Sequence, residues 1–262
     1  MASLNILQEI AIRTKKRVEA RKNVLPFQTL KEMVCPSGIT HDFAFEKALQ
    51  SKDISFICEI KRASPSKGII AADFPYLEIA KDYKVAGAAA VSVLTEPYYF
   101  KGDDRYLREI ADKVSIPLLR KDFTVDDYMI YEAKILGASA VLLICAILDR
   151  ETLAAYLNIA HSLGLSALVE AHSEAEVDMA LAAGARLIGV NNRNLKTFAV
   201  DVTLSERLRK MVPRDILFVA ESGIQTAADI GSLRRHGVDA VLVGEALMRA
   251  PDKKAALAEL RG

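Results

Sequence analysis

The chain has 262 residues, 51% hydrophobic and 26% charged, with a formal net charge of +1. That length carries one large α/β domain or two small ones and buries a substantial core. The near-neutral balance leaves no global field to draw nucleic acid or an anionic membrane. Three cysteines, Cys35, Cys58 and Cys145, stand far apart without CxxC spacing, which argues for a reducing compartment and against zinc or a disulfide framework. Glu9 and Glu19 interrupt the basic amino-terminal stretch, which has no apolar signal core, and no apolar run reaches the length of a membrane span. The expectation is a soluble cytoplasmic protein that binds neither nucleic acid nor membrane. Its oligomeric state is left open, with a monomer slightly favoured.

In chain order, residues 3–22 read as an amphipathic helix, with Leu4, Leu7, Ile10, Ala11, Thr14 and Val18 at helical spacing. Its other face holds Lys15, Lys16, Arg17, Arg21 and Lys22, read as a solvated face in preference to an anion-attracting rim. Asn23 and Pro26 close this helix, a polar link runs to about residue 41, and a short helix follows near 43–50. Residues 1–50 are therefore expected to form a helical extension to a catalytic barrel over 51–262, the two making one structural unit.

From residue 55 the chain repeats one plan: a helix end, a Gly, then a short apolar strand. Gly87, Gly137, Gly164, Gly184 and Gly237 mark five such units. The two long intervals each hide another, at 115–121 and 213–220, with Pro117 and Pro213 in place of Gly. With the strand at 55–60 this makes eight. Helical patterns alternate with them near 75–86, 104–113, 126–136, 150–163, 174–183, 203–211, 225–236 and 252–260. Strands that are nearly continuous Val, Ile, Leu and Ala are buried on both faces, as parallel strands are. Eight βα units predict a (β/α)₈ TIM barrel of the α/β class. A doubly wound open sheet is the alternative, disfavoured because no glycine-rich dinucleotide fingerprint follows an early strand.

In such a barrel the site lies at the carboxyl ends of the strands. Glu59 and Lys61 end the first, on the face opposite Phe56, Cys58 and Ile60. Arg120-Lys121-Asp122-Phe123 ends the third, Glu170 the fifth, Asn191-Asn192-Arg193-Asn194 the sixth, Glu221-Ser222-Gly223 the seventh and Gly244-Glu245 the eighth. A single charged strand end is ordinarily a solvated rim residue; agreement among so many points to a site. Gly244 and the short helix after it, with Ser222 and Gly223 beside them and Ser64 on the first loop, offer donors to an anion. Glu245 contributes only its backbone N–H to that set. His172 reads as an orienting residue or a bystander, and His41, His161 and His236 make no metal constellation. Phe123 is either core or a lid on an aromatic ring, and Cys58 is expected to face the helices.

The stretch Glu59-Ile-Lys-Arg-Ala-Ser-Pro-Ser-Lys-Gly68 resembles the signature of the indole-3-glycerol-phosphate synthases of tryptophan biosynthesis. The likeness continues through Ser92–Glu96, Leu119–Phe123, Leu168–Glu170, Gly189–Leu195, Ala220–Ile224 and Val243–Met248, nearly end to end. The resemblance implies a lyase that closes 1-(2-carboxyphenylamino)-1-deoxyribulose 5-phosphate to an indole, losing CO₂ and water without cofactor or metal. It also implies roles. Lys121 matches the general acid and Lys61 the partner that orients substrate. Glu170 matches a base or cation-stabilising carboxylate, Glu59 serves with Lys61 in dehydration, and Asn191 holds sugar hydroxyls. Arg193 and Glu221 orient the substrate carboxylate and the lysines. Burial and a second ammonium are expected to lower the lysine pKa. Two other readings stand beside this one: a lysine Schiff-base aldolase on the same barrel, and a phosphate-ligand-binding subunit without catalysis.

Overall fold

The structure is a computed structural model that describes residues 5–34, 41–194 and 197–262. Cys35, the start of the expected first helix at residues 3–4, and Leu195 lie outside the described residues. Parallel strands close into a barrel: β1 (Ser55–Ile60), β2 (Ala90–Leu94), β3 (Leu118–Lys121), β4 (Ala140–Ile144), β5 (Ser166–Ala171), β6 (Leu187–Asn191), β7 (Leu217–Glu221) and β8 (Ala240–Val243). Each is bonded to the next, and β8 closes on β1 with Ser55 opposite Ala240. The helices that return the chain are α4 (Tyr76–Val85), α5 (Asp104–Lys113), α6 (Tyr128–Ile135), α7 (Arg150–Ser162), α8 (Glu174–Ala182), α9 (Thr203–Leu208), α10 (Ala227–Arg235) and α12 (Lys253–Arg261); the short α11 (Glu245–Arg249) follows β8 directly. Ahead of the barrel lie α1 (Ile6–Val24), α2 (Phe27–Val34) and α3 (Ala44–Leu49). The (β/α)₈ expectation holds, and the open sheet is excluded by closure.

The glycines that punctuate the sequence stop helices as expected. Gly87, Gly137, Gly164, Gly184 and Gly237 all have φ between 68° and 87°, a region that costs other residues energy. Helix starts are set by side chains that accept the unpaired N–H groups of the first turn. Asn5 and Gln8 form a reciprocal capping box on α1, and Thr226 and Asp229 form another on α10.

Strand alternation divides the core in two. Phe56, Cys58, Ile60, Val91 and Val93 face the helices, whereas Ile57, Ala90, Leu119, Leu142, Leu168 and Leu242 fill the barrel. Cys58 thus faces outward as expected, and burial pushes its thiol up to about 12. Below the barrel, Phe45 and Leu49 of α3 pack with the interior residues, both essentially inaccessible.

Two sequence expectations are corrected before the barrel begins. The link to residue 41 contains a helix, α2, whose Phe27, Leu30 and Val34 fall on one face; Phe27 packs on Tyr128 and Tyr131 of α6 at ring separations of 5.7 and 5.4 Å. Eight residues are too few for a clear period, so only this tertiary contact reveals it. The basic face of α1 is also not simply solvated. Lys15 and Lys16 are exposed, but Arg17 Nη2 donates to both oxygens of Asp122 at 2.8 and 2.7 Å. Arg21 meets Asp104 and Glu132 at 2.5 and 2.6 Å, and Lys22 meets Asp126 at 2.7 Å. Arg120, which alternation turns outward, joins the same network through Asp104 and Glu132.

The Arg17–Asp122 pair is nearly dry, with side chains 8% and 1% exposed. Removing one partner of such a pair strands the other charge and costs about 3–5 kcal/mol. Arg17→Ala should therefore lower the unfolding free energy, read from urea titration, by about 3–5 kcal/mol and shift the midpoint down accordingly. A midpoint equal to wild type would show that α1 is held by its apolar face alone.

Candidate active site

All thirteen residues singled out from the sequence line one cavity of about 1020 Å³ at the carboxyl ends of the strands. Glu59, Lys61, Lys121, Glu170, Asn191 and Glu221 form its floor. Ser64, Arg193, Ser222, Gly223, Gly244 and Glu245 line it with Phe123. The inward positions follow from register: Asn191 pairs with Glu221 and Glu170 with Gly189 across adjacent strands.

The floor is an ionic cluster. Lys121 Nζ donates to Glu170 Oε2 at 2.9 Å and to Glu221 Oε2 at 2.8 Å, while Lys61 Nζ donates to Glu59 Oε1 at 2.5 Å. All five side chains are at least four-fifths buried. Two glycines make room for it. A Cβ on Gly189 would lie 2.3 Å from Glu221 Oε1, and one on Gly244 would lie 2.5 Å from Glu59 Oε1 and 3.1 Å from Lys61 Nζ. Neither is needed for a turn; both are needed for close approach.

Electrostatics overturn one expectation. Burial alone pulls the Lys121 ammonium down, but the adjacent Glu170 and Glu221, with Glu59 beyond, outweigh it and raise Lys121 above the ordinary lysine value. From the sequence, burial and a second ammonium were expected to lower it. In the fold the nearest charges are carboxylates, and the sign reverses. The two carboxylates divide. Burial pushes Glu170 up, but Lys121 and His172 hold it below the usual range. For Glu221, burial and the negative charge of Glu170 win over Lys121, and its carboxyl rises to about 7. Glu221 Oε1 is buried without a hydrogen-bond partner, as a protonated carboxyl awaiting an acceptor would be.

Around this floor the loops are shaped by their own chemistry. Ala63–Ser64 and Gly68–Ile69 form a small antiparallel hairpin that carries Ser64 to the rim. Glu96, fully buried, accepts from the backbone N–H groups of Tyr98, Tyr99 and Phe100 at 2.9, 2.7 and 3.0 Å. That turn delivers Phe100 to the cavity, 6.0 Å ring to ring from Phe123. Phe123 is 7% exposed and belongs to the interior cluster, so it is both core and wall. At the β7–β8 end, Ser222 and Gly223 take φ of 67° and 80° in succession, so the chain turns sharply where it leaves β7 and both residues line the cavity. Arg193 hydrogen-bonds the Phe198 carbonyl at 3.3 Å. The Glu245 carboxylate turns to Arg249 at 3.2 Å and Lys67 at 3.7 Å.

Sequence reasoning missed part of the wall. Ile6, Leu7 and Ile10 of α1 cover the apolar side with Leu94, Leu142, Ile144 and Leu242. The helical spacing of the α1 residues was visible, but not what they would cover. Lys67, Arg249, Gln225 and Thr226 also line the cavity; Lys67 and Arg249 lay within stretches already singled out, and a capping box marks Thr226. No group of three or more His, Cys, Asp and Glu able to hold a metal occurs among the described residues, and no helix there is long and apolar enough to cross a membrane.

A closed parallel barrel with paired lysines and carboxylates at the carboxyl ends of its strands defines an enzyme of acid–base chemistry. The barrel itself recurs in solved structures: 3-hexulose-6-phosphate synthase matches at TM-score 0.62 and 16% identity, over 79% of this chain and 98% of that one. Such likeness shows the fold alone. Sequence carries further. The family model for indole-3-glycerol phosphate synthase matches residues 7–260. Curated relatives of that name are 59% identical over 257 residues in Ruminiclostridium cellulolyticum and 52% over 256 residues in Endomicrobium trichonymphae, each covering 98% of this chain and 99% of its own. The chain belongs to the indole-3-glycerol phosphate synthase family, the carboxy-lyases of tryptophan biosynthesis.

The raised Glu221 carboxyl gives a direct test. Infrared difference spectra should show a protonated carboxyl band lost as pH rises through about 7, and Glu221→Gln should abolish it. A band insensitive to that substitution would assign the proton elsewhere. Gly189→Ala should lower kcat at least tenfold, in the range of a displaced catalytic group, while circular dichroism stays native.

Proposed function

We propose that the chain converts 1-(2-carboxyphenylamino)-1-deoxyribulose 5-phosphate to indole-3-glycerol phosphate, releasing CO₂ and water without a cofactor. The observation that carries this reading is the Lys121 ammonium donating to Glu170 and Glu221 at the cavity floor. In ring closure the aromatic carbon bearing the carboxylate attacks the ketone carbon, and the ketone oxygen becomes an alkoxide that must be protonated. An alkoxide is a stronger base than an amine, so a lysine with a raised pKa still gives up its proton to it. Lys121 is the general acid of this step. Glu221, with a carboxyl near neutrality, can return a proton to Lys121, as suits a group working close to its own pKa.

Closure leaves a cationic ring nitrogen, which the ionised Glu170 stabilises. Lys61 holds the substrate carboxylate until CO₂ leaves and the electron pair restores aromaticity. Dehydration then removes the hydroxyl as water with a proton from the neighbouring carbon; Glu59, 2.5 Å from Lys61, serves this step with it. Asn191 and Arg193 orient the sugar chain. The phosphate is received by backbone N–H groups at Ser222, Gly223, Gly244 and Glu245 with the Ser64 hydroxyl, a donor set that suits a dianion. Phe123 and the α1 residues face the anthranilate ring. A cytoplasmic setting fits this metabolite.

The Schiff-base aldolase reading is disfavoured by the same geometry, because a lysine held charged between two carboxylates is a poor nucleophile. Feeding the carboxyphenylamino deoxyribulose phosphate should give indole fluorescence with wild type. Lys121→Ala should remove nearly all of it, and Glu59→Gln and Glu170→Gln should each reduce kcat on the order of a hundredfold. No product from wild type, or full turnover by Lys121→Ala, defeats the proposal. A borohydride-trapped adduct on Lys121 or Lys61 would defeat it in favour of the aldolase.

A further inference from the structure

One buried titratable side chain beside the floor has no part in these steps. His172 stands two residues after Glu170, its side chain 16% exposed, outside the residues that line the cavity. Its ring lies between two carboxylates. Nδ1 is 3.3 Å from Glu176 Oε2 on the first turn of α8, and Nε2 is 3.4 Å from Glu170 Oε1. The same Glu176 oxygen accepts the His172 backbone N–H at 2.7 Å, which pins the residue. Asn191 Nδ2 stands 3.4 Å from Glu170 Oε1, so amide and ring flank one oxygen while Lys121 holds the other. Nε2 is buried and makes no hydrogen bond of good geometry, leaving Glu170 as the acceptor it faces.

Charge around the ring is one-sided. Glu176 comes from α8, Glu170 from β5 and Glu221 from β7, and all three favour the imidazolium. Cys145, whose thiol donates to the Glu176 carbonyl at 3.6 Å, is pushed up to about 12 by burial and stays neutral. Lys121 is the opposing cation, bonded to the other oxygen of Glu170. A neutral ring giving its Nδ1 proton to Glu176 would aim the Nε2 lone pair at a carboxylate oxygen, whereas an imidazolium meets an acceptor at both ends. Burial works against the charge, yet the carboxylates outweigh it and hold His172 above the ordinary histidine value.

We propose that His172 is a positioning residue for Glu170: clamped to Glu176, it presents a charged N–H to Glu170 Oε1 and holds that carboxylate ionised and turned toward Lys121. This rests on the role given to Glu170 above. The sign of its effect is fixed. Removing a cation beside a carboxylate raises the carboxyl pKa, so the base form is lost at higher pH. Because Glu170 and Glu221 share Lys121, the acidic limb of the pair moves as a unit.

The test compares pH profiles of kcat and KM for wild type, His172→Gln and Glu176→Gln. His172→Gln keeps a donor without charge; Glu176→Gln keeps the acceptor for the His172 backbone while removing the charge that sustains the imidazolium. Both should move the acidic limb of kcat upward, by about one pH unit for His172→Gln and less for Glu176→Gln, with KM near wild type because neither residue lines the cavity. Loss of kcat with an unmoved limb in a folded variant would mean a merely structural role and would overturn the proposal. The ¹⁵N resonances of His172 provide a readout independent of turnover: an imidazolium at pH 7 supports the clamp, and a neutral ring overturns it. Failure of wild type to make any indole product would instead sink the functional reading, leaving the clamp to be decided by the resonances.

Discussion

Everything at the floor of this barrel depends on one constraint, that five charged side chains must share a site from which most water is excluded. Isolated, each would be too costly to bury. Lys61 and Lys121 face Glu59, Glu170 and Glu221, two cations against three carboxylates, which leaves one negative charge over. The simplest relief is a proton, and the carboxyl that takes it is Glu221, the most deeply buried of the three and opposed by the charges of both Glu170 and Glu59. The same imbalance raises Lys121. The proton chemistry of the site is therefore a consequence of charge balance as much as of any single side chain.

The barrel makes such a cluster possible because parallel strands deliver their ends to one rim whatever the distance along the chain. Glu59 and Glu221 are far apart in sequence but both point inward. What the barrel cannot provide is room, and Gly189 and Gly244 supply it by omitting a side chain where a carboxylate must pass. The mouth is closed on one side by α1, and here stability and site geometry meet. Asp122, next in sequence to Lys121, is the anchor for Arg17, so the helix that covers the cavity is bonded to the strand that carries the central lysine. Thr95 donates to the same carboxylate at 2.8 Å, tying in β2 as well.

Much of this was legible in the sequence, for identifiable reasons. Repeated Gly-then-apolar segments report a backbone requirement and a burial pattern, both local, and they gave eight strands at the observed places. Residues at strand ends could be read because alternation fixes their direction without knowledge of neighbours. Properties that depend on a partner from elsewhere could not be read. The direction of the Lys121 shift turned on whether its nearest charges were lysine or glutamate, and those come from β5 and β7. The basic row on α1 looked solvated because Asp104, Asp122, Asp126 and Glu132 lie more than eighty residues away. The short α2 had too few turns to declare a period and is held by packing from elsewhere, Phe27 against two tyrosines and Leu30 and Val34 in the core.

The cavity is graded from end to end, and the grading explains why likeness of fold to other sugar-phosphate barrels says so little. Its α1 side is apolar, with Ile6, Leu7, Ile10, Phe100 and Phe123; its centre is ionic; its β7–β8 side offers backbone donors with Lys67 and Arg249 nearby. A ligand that satisfies all three must be flat and apolar at one end, reactive in the middle and anionic at the other. A sugar phosphate alone would satisfy only the last two, leaving the apolar wall against water and losing the burial that wall could contribute. At 16% identity a barrel can keep its strand order while every one of these linings changes. Under the proposed function, selectivity for an aryl-bearing sugar phosphate rests on α1 and the loops after β2 and β3, because they supply the apolar wall.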